Sequence, residues 1–124
     1  SDGTLRLLGL LWVLLGGDSL LLLEEPELSL NDAIVRKIPL MLKRAQQGKK
    51  GRRQVLVSTH SEALLSNPGI DPRGIILLEP GTDGSTARLA DEAERTALST
   101  GLSAAEVLLP KTRPQSVEQL ALFT

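Results

Sequence analysis

The chain has no cysteine. That excludes a disulfide framework and a zinc–cysteine site, and it fits a reducing compartment. Tyrosine is also absent, and Trp12 and Phe123 are the only aromatic residues, so a base-stacking platform for nucleic acid is not expected. No excess of one charge is present: 14 basic and 15 acidic residues leave a net charge of −1, which by itself marks neither a nucleic-acid protein nor an acidic-ligand protein. The longest apolar opening, residues 5–15, is too short to span a bilayer and lacks the basic flank and cleavage site of a signal peptide. The expectation is a cytoplasmic chain with no membrane contact. At 124 residues and 41% hydrophobic content it is one domain or part of one, with enough apolar material for a core. It begins with Ser1 and not Met, and reads as a piece of something longer.

The most informative stretch is Leu20-Leu21-Leu22-Leu23-Glu24-Glu25-Pro26-Glu27. Four leucines in a row suit a parallel strand covered on both faces. Three carboxyl groups follow within four residues. Pro26 disfavours a helical Glu25, so the strand should end in an extended turn. Acids at the carboxyl end of a buried parallel strand stand where open α/β sheets bind ligands.

In chain order, Ser1 can cap a helix that Asp2 favours at its positive end and whose leucine-rich body should be buried on most sides. Gly16-Gly17-Asp18 ends it, and the Leu20 to Leu23 strand follows. Asn31 can cap a second helix running to about Gln47, with Ile34, Ile38, Leu42 and Ala45 on one stripe and Pro39 set to kink or split it. After a break at residues 48–51, Val55-Leu56-Val57 reads as a second buried strand ending in Ser58-Thr59-His60-Ser61. Ser61 can cap a short helix over residues 62–65, and Ile75-Ile76-Leu77-Leu78 reads as a third strand. Residues 80–84 form a turn, residues 86–89 a short returning strand, and small helices are expected over 91–98 and 103–109. A last weak amphipathic turn lies at residues 117–123. Strands alternating with helices predict an α/β fold with a partial, mostly parallel sheet and flanking helices. His60, the only histidine, and Glu25 should then be neighbours on one edge. The backbone N–H groups of Gly3 and Thr4, with the Ser1 hydroxyl, form a helix start able to receive an anion.

This order resembles the C-terminal half of an ABC-type ATPase with the P-loop NTPase fold, of the prokaryotic SMC-like and RecF-like kind often described as AAA-family ATPases. Ser1-Asp2-Gly3-Thr4 stands at the signature motif, Leu20 to Glu25 at Walker B, Glu27-Leu28-Ser29-Leu30 at the D-loop, and His60 at the switch histidine. The match covers about residues 1–80. The resemblance implies that residues 1–90 are half of an ATPase domain and 91–124 a small helical extension with a polar tail. It implies ATP and Mg²⁺ as ligands, with Glu24 holding the metal where most relatives have aspartate. By the same resemblance Glu25 would orient or deprotonate the attacking water, and His60 would sense the γ-phosphate. Ser1, Gly3, Thr4 and Ser29 would meet nucleotide held by the opposite protomer of a head-to-tail homodimer. The implied setting is DNA repair or anti-phage defence.

No Gly-x-x-x-x-Gly-Lys-Ser/Thr loop occurs, and Gly48-Lys49-Lys50-Gly51 lacks its spacing and hydroxyl. A P-loop lobe must therefore come from upstream or from another chain, and the exposed sheet edge predicts association. Eight of the 14 basic residues fall between Arg36 and Arg53, with no acid from Ala33 to Ser61. Lys49, Lys50, Arg52 and Arg53 read first as a solvated loop and second as a contact for DNA backbone. Two further functions stand beside the ATPase: a non-catalytic binding or dimerisation module, and a metal-dependent nuclease using Glu24, Glu25 and Glu27 as ligands.

Overall fold

The apolar opening forms α1 (Asp2–Leu15), capped at its start by the Ser1 hydroxyl, which accepts from the Thr4 N–H. The computed structural model describes residues 1–47 and 53–114, which divide into a unit over Ser1–Gly69 and a second that begins at Ile70. The hairpin strands that the sequence places in a 1–90 domain lie in this second unit. Among the described residues no helix is long and apolar enough to cross a membrane.

The predicted burial of α1 on most sides does not occur. Leu10 and Leu14 are buried, whereas Leu5, Leu8, Trp12 and Leu15 are exposed, Trp12 by 82%. Those four recur at helical spacing and form one outward stripe. A helix packed against one neighbour covers one face, and α1 packs on α3 (Ile38–Gln46).

β1 (Leu21–Glu24) and β2 (Val55–Ser58) pair in parallel, with Leu21 opposite Val55 and Glu24 opposite Ser58. β1 is not covered on both faces as its leucines predict. Alternation points Leu21 inward, while Leu22 is 66% exposed and Leu56 stands beside it on the open face.

The second helix is split, as Pro39 predicts. α2 (Asp32–Val35) is capped by Asn31, whose side chain accepts from the Ala33 N–H. Pro39 then sits in the first turn of α3, where its missing N–H has no partner to lose. Ser61 caps α4 (Glu62–Leu65), and the Asn67 side-chain amide donates to the Arg36 carbonyl at 2.7 Å, tying the ends of α2 and α4. Val35, Ile38 and Leu64 form the buried centre here.

The third predicted strand does not join the parallel pair. β3 (Ile76–Gly81) turns through Thr82-Asp83 and pairs antiparallel with β4 (Gly84–Leu89). The mostly parallel sheet of the sequence reading is therefore, among the described residues, one parallel pair and one hairpin in a mixed α/β chain. The physical cause is local. A two-residue loop, with Gly84 at a φ of +116°, returns the chain at once, whereas a parallel neighbour needs a long crossover.

α5 (Glu92–Ser99) and α6 (Ala104–Val107) are each opened by a capping box, Asp91 with Glu94 and Ser103 with Glu106. A 3-10 turn, Leu109–Thr112, follows and packs on β3. The predicted turn at residues 117–123 lies outside the described residues.

Glu94 is the buried charge of this unit. Its carboxylate takes Arg88 Nη1 at 2.6 Å, Arg88 Nη2 at 3.0 Å, Lys111 Nζ at 2.5 Å and the Asp91 N–H at 2.9 Å. Arg88 also bridges across the hairpin to Glu79. Hydrogen bonding from Arg88 holds the Glu94 carboxyl well below its ordinary value of 4.5; burial opposes this, and Lys111 and the Asp91 N–H add to it. A native pKa below the unfolded one gives stability that is complete above the unfolded value and is lost as pH falls towards the native value. Chemical denaturation at pH 7 and pH 3 should therefore show a larger drop in stability for wild type than for Glu94→Gln.

Candidate functional site

Parallel pairing brings the carboxyl ends of β1 and β2 to one edge. The Glu25 N–H donates to the carbonyl of Ser58, the last residue of β2, at 2.8 Å, extending the ladder one residue past the end of β1. Beyond that rung, His60 Nδ1 lies 2.5 Å from Glu25 Oε1. The imidazole is 74% exposed and the Glu25 side chain 30% exposed. The histidine–carboxylate neighbourhood predicted from strand order is thus present in the geometry.

The turn that carries Glu25 is tight and not extended. The Leu28 N–H donates to the Glu25 carbonyl, and the Leu30 N–H to the Glu27 carbonyl. Glu25 has a φ of +42° and Ser29 a φ of +63°. Pro26 keeps Glu25 out of the right-handed helical region, as predicted, but two consecutive turns drive it left-handed. Non-glycine residues in that region store strain and gather at functional sites.

Glu27 is buried under this turn. Its Oε1 accepts from Thr59 Oγ1 at 2.5 Å, and its Oε2 has no partner among the described residues. Thr59 Oγ1 in turn accepts from the Ser61 N–H at 3.0 Å. Sequence reasoning missed this link, because the partner lies 32 residues away in the chain. The available signal was a hydroxyl residue next to the lone histidine.

At the start of α1, the Ser1 and Thr4 hydroxyls lie 2.8 Å apart, and Arg6 pairs with Asp2 at 3.7 Å, one helical turn away. A side-chain carbon added at Gly3 would run into the Ser29 carbonyl. The residue pairs brought together are therefore Gly3 with Ser29 and Glu25 with His60, and the turn over residues 25–29 connects them. Glu24 is exposed on the last rung of β1, opposite Ser58.

Two sequence expectations change here, the three-glutamate metal site and the place of Arg53 in a basic patch. Among the described residues, no three of His, Cys, Asp and Glu are grouped as a metal cage. Glu24 faces solvent while Glu27 turns inward to Thr59, so the three-glutamate nuclease site loses its geometry. Lys49, Lys50 and Arg52 lie outside the described residues. Arg53 is buried and belongs to no exposed basic patch. Its guanidinium donates to the carbonyls of Val13 (2.7 Å) and Gly16 (3.1 Å), satisfying groups left open at the end of α1, and to that of Ser19 (2.7 Å) in the link to β1.

The sequence model of an AAA-domain family (AbiEii toxin-like, type IV toxin–antitoxin system) matches residues 1–66. That span contains α1, both parallel strands and the Glu25 and His60 turns. No curated protein and no solved structure matches the chain.

The close approach at Gly3 has a measurable consequence when set against Gly9, which has open space around it in the interior of the same helix. In thermal unfolding, Gly9→Ala should stabilise the chain by about 1 kcal/mol through helix propensity. Gly3→Ala should instead destabilise it by about 1–3 kcal/mol, because the blocking atom is backbone and must shift.

Proposed function

The chain belongs to the AAA-domain family matched over its first 66 residues, and on that premise we propose that it is the Walker B and signature half of an ABC-type, SMC-like ATPase. The observation that carries the proposal is the Glu25–His60 contact at the carboxyl edge of the parallel pair. A nucleotide-binding α/β domain places its ligand at that edge. Phosphoryl transfer asks mainly for positioning and charge stabilisation, and these two side chains supply complementary parts of it.

In the proposed mechanism, Glu25 orients the attacking water and takes its proton. His60 meets Glu25 through Nδ1, so Nε2 is the nitrogen left to meet the γ-phosphate. The strained turn fixes the carboxyl group before nucleotide arrives, which lowers the reorganisation needed at the moment of reaction. Glu24 is the residue that would hold Mg²⁺. It is a hard oxygen donor exposed at the strand end, and magnesium sites in phosphoryl transfer take one or two carboxylates with phosphate and water completing the shell. When bound, the ion neutralises charge on the phosphate oxygens. Ser1, Gly3, Thr4 and Ser29 would meet the γ-phosphate of a second protomer in a head-to-tail dimer.

The missing P-loop lobe fits the apolar surface left open in this unit. Leu20, Leu22 and Leu56 are exposed at the parallel pair, and Leu5, Leu8, Trp12 and Leu15 along α1. Apolar side chains left open on a strand pair and along one helix stripe suit an interface with such a partner. Action on DNA, in repair or anti-phage defence, remains part of the proposal, with Lys49, Lys50 and Arg52 as the contact residues and Arg53 removed from that set.

A non-catalytic module is the second reading, favoured by glutamate at position 24 and by the absence of a P-loop motif from the sequence. Hydrolysis assays separate the two. Alone, the chain should not turn over ATP. With its P-loop lobe supplied, wild type should hydrolyse ATP, and Glu25→Gln should lower turnover by about 100-fold or more while keeping ATP binding. Binding without turnover in wild type would establish the non-catalytic module instead.

A further inference from the structure

Glu27 and Thr59 occupy a place that the ATPase reading does not use. Glu27 is two residues beyond Glu25, and Thr59 is the residue before His60. Their side chains meet at 2.5 Å beneath the exposed Glu25–His60 contact. The Thr59 hydroxyl has both its functions committed: it donates to Glu27 and accepts from the Ser61 N–H at 3.0 Å. It thereby fixes the backbone on both sides of His60. Together with the Glu25 N–H to Ser58 carbonyl rung, this closes a small cycle around the Glu25 and His60 side chains.

His60 needs such a device. Its ring is mostly in solvent, where a histidine samples several rotamers and either neutral tautomer. One surface contact to Glu25 does little to hold it, because exposed ion pairs are weak. A fixed backbone on each turn reduces the freedom that the contact must overcome.

The cost of the arrangement points the same way. Glu27 is buried, yet its Oε2 has no partner among the described residues. Burying a carboxyl oxygen without a hydrogen bond opposes folding. A residue kept for stability alone would be better replaced by an apolar side chain of similar volume. The left-handed φ of Glu25 adds strain in the same turn. Stability is given up where the two chemical side chains are aligned.

We infer that Glu27 and Thr59 are positioning residues that lock the turn after β1 to the turn after β2 and hold the His60 imidazole against Glu25. The kinetic part of this inference rests on the ATPase reading; the geometric part does not.

Because His60 is the only histidine, nitrogen NMR of the full chain labelled at histidine gives a single imidazole to follow. At a pH where the ring is neutral, wild type should show the Nδ1–H tautomer, with that proton donated to Glu25. Thr59→Val and Glu27→Met should each move the ring towards the tautomer mixture of a solvated imidazole. Thr59→Ser, which keeps the hydroxyl, should restore the wild-type signal. Glu27→Met should leave the thermal midpoint unchanged or raised, an outcome that a merely structural glutamate would not give. If Thr59→Val fails to fold, the Glu27→Met and Thr59→Ser pair decides the matter. Folded variants that all keep the wild-type tautomer would overturn the inference, as would Glu27→Met losing stability with no tautomer change. With the P-loop lobe supplied, Thr59→Val should lower kcat on the order of 10-fold at unchanged KM, and Thr59→Ser should not. Absence of turnover in wild type would defeat the ATPase reading and leave the tautomer comparison to decide this inference.

Discussion

The register of one parallel strand pair governs the candidate site. Leu21 opposite Val55 and Glu24 opposite Ser58 put the two strand ends level, and the Glu25 N–H to Ser58 carbonyl bond continues that alignment into the turns. Everything chemical follows from it: Glu25 beside His60, and Glu27 beneath them on Thr59. A slip of one residue would exchange the faces of the strand and separate both pairs. The short leucine and valine runs specify the register because Leu21 must be buried.

That burial comes from one side only. Within the first unit, Leu21, Val35, Ile38 and Leu64 are buried, while Leu22, Leu56 and the α1 stripe remain in solvent. A two-stranded sheet is marginal by itself, and apolar surface facing water contributes nothing to the core. Arg53 offsets part of this deficit by closing the open carbonyls at the end of α1. The second unit is built differently. It holds a small apolar centre of Leu77, Ala90 and Leu108 beside the Glu94 charge network, and capping boxes start α5 and α6.

Much of the site was legible in the sequence because its signals are local. A serine one turn before a threonine N–H, a leucine run broken by acids and proline, and a lone histidine after a valine strand each have a short-range cause. The Ser1, Asn31 and Ser61 caps and the division of the second helix at Pro39 follow from such causes. What was not legible depends on partners distant in sequence. Arg53 reads as one more surface cation, and only the fold shows it beneath α1, about 40 residues away. Glu27 reads as a D-loop residue or a metal ligand until Thr59 is seen opposite it. The third strand carries the composition of a buried parallel strand, yet the turn that follows it decides its pairing. Burial was overestimated for α1 and β1 for one reason: apolar composition reports what a surface prefers to meet, not what this chain provides.

In the proposed function, these elements are half of a nucleotide site that a phosphate-cradling loop would complete. The central claim is that Glu25 and His60 form its reacting edge. A structure of the chain joined to its P-loop lobe, with Mg²⁺ and a non-hydrolysable ATP analogue, tests this most directly. The account predicts a water within hydrogen-bond distance of the Glu25 carboxyl and in line with the γ-phosphate, with His60 Nε2 on a γ-phosphate oxygen. Nucleotide bound away from this edge, or with Glu25 and His60 facing solvent, would contradict it.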